Sequence, residues 1–129
     1  MSGTTVTRNA PTGANYVANV GKVVYESAAN EVTLCTSPTA EIPFGIITKA
    51  QNVAAGSVTV CVAGRCEAAI GAVVTPGSHG LLACAADSKL DPAGVGEYVI
   101  AKFLGQVAGA DGQLQDVLVI GPNQLNPAP

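Results

Sequence analysis

A chain of 129 residues has the length of one domain and buries roughly two-thirds of its unfolded surface, enough for a core without metal or disulfide support. Hydrophobic residues make up 48% and charged residues only 12%, about half the usual charged share, which points to a surface that meets other protein. The net charge is −3, and the basic residues Arg8, Lys22, Lys49, Arg65, Lys89 and Lys102 are scattered; with Tyr16, Tyr25, Phe44, Tyr98 and Phe103 as the aromatic set, this argues against a nucleic-acid interface, which needs clustered cations and stacking platforms.

Met1 to Arg8 lacks the apolar segment of a signal peptide, and no apolar run approaches the roughly 18 residues of a membrane helix. The expectation is synthesis in a host cytoplasm, no membrane partner, and cysteines that are thiols when the chain folds. Residues 1–15 are polar and Thr-rich, with Pro11 and Gly13, and read as an extended N-terminal arm. The main domain spans 16–121. Within it, strands are expected over Tyr16–Tyr25, Glu31–Cys35 and Phe44–Thr48, with Glu26–Asn30, Ser37–Pro43 and Gln51–Gly56 as turns or loops.

Val58–Val62 and Arg65–Ala69 flank Ala63-Gly64, the spacing of a two-residue hairpin that would set Cys61 opposite Cys66. Thr75-Pro76-Gly77 is a type II turn signal. Leu81–Ala85, Tyr98–Gln106 and Gln115–Ile120 complete the strands; Asp87-Ser88-Lys89, Asp91–Gly94 and Gly109–Gly112 are turns, and 122–129 is a short C-terminal tail with two prolines. Turn signals every 8–12 residues and no sustained 3.6-residue period mark an all-β fold, a small barrel or sandwich.

This scaffold carries little chemistry. The one histidine, His79, lies in Gly77-Ser78-His79-Gly80, without the partners of a catalytic triad, and reads as a solvated loop residue. Gly94-Val95-Gly96 lacks the third glycine of a dinucleotide fingerprint, and there is no G-K-[ST]. Asp87 and Asp91 read as turn aspartates, not calcium ligands. Cys35 and Cys84 read as small buried hydrophobes. For Cys61 and Cys66, reduced cross-strand thiols, a disulfide formed after release from the cell, and metal binding are the alternatives, in that order. No catalytic residue, cofactor site or metal site is assigned.

The succession from Phe44 onward resembles the capsid cement (head decoration) proteins of tailed bacteriophages. It is carried by Gly45-Ile46-Ile47, Gly56 leading into Val58-Thr59-Val60, the Ala63-Gly64 break, Glu67–Gly71, Val74–Gly77 leading to Leu81-Leu82, Asp87–Leu90, and Gly96–Leu104. These motifs span about two-thirds of the chain. The four cysteines and Ala101-Lys102, where the family often has glycine, depart from the family pattern.

The resemblance implies a small β-barrel or β-tulip-like protomer and no enzymatic activity. It implies a homotrimer that binds the major capsid protein on the outer surface of the virion and stabilises the shell by bridging subunits. Ser2, Gly3, Thr4, Thr5, Val6, Thr7 and Arg8 are then the candidate capsid-binding arm, adding a strand to a capsid sheet edge. The competing readings are a β-sandwich binding module for carbohydrate or surface adhesion, disfavoured by the absence of Trp, and a small hydrolase, disfavoured by the single histidine.

Overall fold

The computed structural model describes residues 3–71, 81–94, 96–104 and 114–125. Ser2, the expected Pro76-Gly77 turn, His79, the Gly109–Gly112 connection and the end of the tail (126–129) lie outside the described residues. The strands are β1 (Thr4–Asn9), β2 (Val23–Ala28), β3 (Glu31–Leu34), β4 (Gly45–Ala50), β5 (Ser57–Ala69), β6 (Leu81–Cys84), β7 (Leu90–Pro92), β8 (Tyr98–Phe103) and β9 (Leu114–Leu125), with one 3-10 turn at Val17–Asn19. The fold is all-β. Strands β1-β3-β2-β4-β5 close on themselves through a β1–β5 pairing, and β5 continues into a second sheet ordered β5-β9-β8-β6-β7.

Adjacent apolar residues explain the two layers. Val23-Val24, Ile46-Ile47 and Val60-Cys61 are each fully buried at consecutive positions. Consecutive strand residues point to opposite faces, so both faces of these strands must be covered. Val24, Ile47, Val58 and Val60 point into the barrel, where they meet Ala10, Tyr16 and Val32. Val23, Ile46 and Cys61 point outward into a second core with Ile70, Leu82, Leu90, Ile100, Phe103 and Val117. The barrel wall is therefore also one face of an interlayer core.

Backbone bonds join the layers. The Val23 N–H donates to the Ser88 carbonyl at 2.8 Å, Tyr98 N–H to Pro38 at 2.8 Å, and Ala69 N–H to Gly21 at 2.8 Å. Ser88 is buried with φ 67, so the β6–β7 turn docks on β2 through its backbone.

Five expectations change. Glu26–Ala28, expected to lie in a turn, extends β2 and pairs with β3, so the turn narrows to Ala29-Asn30. The strand expected from Tyr16 begins only at Val23, because Val17–Asn19 coils and Gly21 turns the chain at φ 94. Asp91-Pro92, expected as a turn, lies in β7, the last strand of its sheet, where a proline without an N–H is tolerated. Strand β9 runs past Ile120 to Leu125: after an irregular stretch, Gln124 and Leu125 pair with Val99 and Tyr98 of β8 instead of leaving as tail. The Ala63-Gly64 hairpin does not form: Ser57–Ala69 is one strand, bent at Gly64 (φ 87), with β9 supplying the partner for Gly64–Ala69.

Candidate functional site

The N-terminal arm forms part of the barrel. β1 runs antiparallel to β5, with Thr4 to Asn9 opposite Ala63 to Ser57. Glycines permit this close approach. A Cβ on Gly3 would fall on the Ala63 carbonyl oxygen, and a Cβ on Gly64 would meet the Gly3 Cα at 2.8 Å. The Gly3 N–H donates to the Arg65 carbonyl at 2.9 Å.

The other edge of β1 is nearly open. Its only pairing with β3 is Asn9 opposite Glu31, so among the described residues no strand ladders onto that edge from Thr4 to Arg8. The Asn9 N–H points to this side, donating to the Asn30 carbonyl. Strand alternation then places the Thr7 N–H on the same edge. Thr4, Thr5 and Thr7 are exposed, whereas Val6 packs on the barrel interior. Arg8 spans the gap: its Nε lies 3.4 Å from the Glu26 carboxylate on β2, and its guanidinium sits 5.1 Å over the Phe44 ring.

Beside the arm is a cleft of about 260 Å³, lined among others by Thr5, Val20, Arg65, Cys66, Glu67 and Leu114. Leu114, Leu118 and Ile120 on β9 are exposed, and the last two alternate with the buried Val117 and Val119. Cross-strand partners share a face, so Leu118 lies level with Arg65 and Lys102. Arg65 also pairs with Asp116 at 2.7 Å. This outer face combines apolar side chains with ion-paired charge, a composition suited to protein contact. Its signal in the sequence is Leu118-Val119-Ile120, apolar at every position where a one-sided strand alternates, a pattern that by itself marks only a closing strand.

None of the four cysteines is disulfide-bonded in the structure. Cys61 and Cys66 do meet, although not across a hairpin. Five residues apart on a regular strand they would face opposite sides. The bend at Gly64 switches the alternation, so Cys61 and Ala68 share the interlayer core and Cys66 packs against it. Burial and the hydrogen bond to Cys61 push the Cys66 thiol up, which suppresses the thiolate that metal binding or nucleophilic chemistry requires. Cys35 and Cys84, expected as separate buried hydrophobes, are neighbours, with Sγ atoms 3.0 Å apart. Among the described residues, no three His, Cys, Asp or Glu side chains gather as a metal site, and no helix is long and apolar enough to cross a membrane.

A scan against protein-family models and a search of curated proteins return no match. The fold is similar to that of the N base of the head fibre protein gp8.5 of bacteriophage phi29, with a TM-score of 0.63 and 14% identity, covering 95% of this chain and 98% of that one.

Proposed function

We propose that this chain is a structural virion protein of a bacteriophage that sits on the outer surface of the head and has no enzymatic activity. The observation that carries the reading is the whole-length fold likeness to the base of a phage head fibre. The open β1 edge and the apolar β9 face add two surfaces suited to protein contact.

In this reading the protein assembles as a homotrimer and bridges major capsid protein subunits. A symmetric oligomer engages several subunits at once, and modest contacts multiply through effective concentration. Such a clamp resists pressure from a packed genome by burying surface that subunit separation would expose. The arm contributes through its open edge: a capsid strand adds along Thr4–Arg8, displacing the Arg8 guanidinium from the Thr7 carbonyl, while the other edge stays paired to β5.

Co-sedimentation with purified heads tests the reading. The full chain pellets with heads in a saturable manner. Thr7→Pro removes an N–H from the open edge while leaving the β5 ladder intact, and lowers head affinity about tenfold or more. Absence of head binding by the full chain overturns the function; undiminished binding by a folded Thr7→Pro variant overturns the role of the arm edge.

A further inference from the structure

We propose that Cys35 and Cys84 form a disulfide that staples the barrel to the second sheet through the interlayer core. Cys35 directly follows β3, and its N–H donates to the Val23 carbonyl at 2.9 Å. Cys84 ends β6 and pairs with Leu90 of β7. Backbone ladders on both sides therefore hold the two residues, and their Sγ atoms lie 3.0 Å apart with nothing between them. Both are buried, 0% and 3% exposed. Neither is needed for any binding surface described above.

The oxidant is a low-molecular-weight disulfide such as oxidised glutathione. One cysteine thiolate attacks it, releasing one small thiol and leaving a mixed disulfide. The second cysteine sulfur then displaces the second small thiol. One S–S bond breaks, one forms, and the two cysteine protons leave on the two released thiols. The hydrogen bond with Cys84 and burial push the Cys35 thiol up, so the folded dithiol reacts slowly, and oxidation occurs when the structure opens in an oxidising medium. The same burial shields the finished bond from reductant. The bond closes a loop between positions 49 residues apart in sequence, which restricts the unfolded chain. The Cys61–Cys66 pair closes a loop of only a few residues and borders the cleft.

The test is refolding of the full chain with a mixture of reduced and oxidised glutathione, followed by alkylation and non-reducing digestion. Cleavage after Arg65 separates Cys61 from Cys66, and cleavage after Glu67 separates Cys66 from Cys84. The expected product is a cross-linked peptide pair containing Cys35 and Cys84, lighter by two hydrogens than the reduced pair. Reduction should lower the Tm by about 10 °C. This shift should vanish in Cys84→Ser and persist in Cys61→Ser. Four alkylatable thiols after oxidative refolding, or a cross-link confined to Cys61 and Cys66, overturns the proposal. The mapping uses the unaltered chain, so it decides the matter even where a variant fails to fold.

Discussion

The barrel interior and the interlayer core share walls but differ in how the chain supplies them. Residues around the barrel interior fall between Val6 and Val62, so this core is filled by one contiguous half of the sequence. The interlayer core runs from Val23 to Val119 and gathers Cys35, Cys61 and Cys84, with Cys66 at its margin. The first is a local structure completed by its own arm. The second exists only when the C-terminal strands fold back over the barrel's outer face. Strand β5 belongs to both, and the bend at Gly64 is where it passes from barrel wall to second sheet.

The largest predicted effect comes from adjacent residues that face different cores. Ile46→Ala and Ile47→Ala should each destabilise the protein by about 3 kcal/mol in urea unfolding, because both leave cavities in closed cores. A near-neutral result at either position would break the comparison, since it would mean that one face of β4 is not packed.

Gly64→Val should cost about 2 kcal/mol, through strain at φ 87 and a clash with the Gly3 Cα. It should also raise hydrogen exchange along β1 more than along β8, which sharpens the distinction by loosening the barrel closure first.

Smaller still is Glu41, whose carboxylate accepts the Thr36 and Ser37 N–H groups at 2.7 and 3.1 Å in the loop that follows β3. Burial opposes its charge, but these bonds win and hold the carboxyl below its usual value. A depressed folded pKa gives stability that is present above the unfolded value, near 4.5, and is lost as pH falls through the folded one. Glu41→Gln should therefore cost about 0.5 kcal/mol or less near neutrality, given its solvent exposure, and the difference from wild type should disappear in acid. The smallest effect is Arg65→Ala: its exposed pair with Asp116 should contribute only about 0–0.5 kcal/mol to stability, measured by thermal melts, so any large loss of head binding would come from the outer face.

Much of the barrel was legible in the sequence. The β-branched runs at Val23-Val24, Ile46-Ile47 and Val58–Val62 mark strands, and all-β character follows from their spacing with the glycine and proline turns. What those doublets meant, burial on both faces, depended on a second layer arriving from residues beyond Leu81. Ala63-Gly64 looks like a hairpin because a positive-φ glycine serves a turn and a bend equally well; which one forms is decided by whether β9 or the preceding half of β5 offers the ladder. The thiol pair Cys35 and Cys84 was invisible for the same reason, since local pattern carries no information about contacts between β3 and β6. The arm was legible as extended chain, but its docking rests on Gly3 facing Gly64, a long-range fit.

Cryo-electron microscopy of heads incubated with the full chain tests the central claim most directly. The account predicts protein density of this fold on the outer surface of the shell, repeated at symmetry-related sites and touching more than one capsid subunit. Density inside the shell, density confined to the tail, or heads left bare at saturating protein would contradict it.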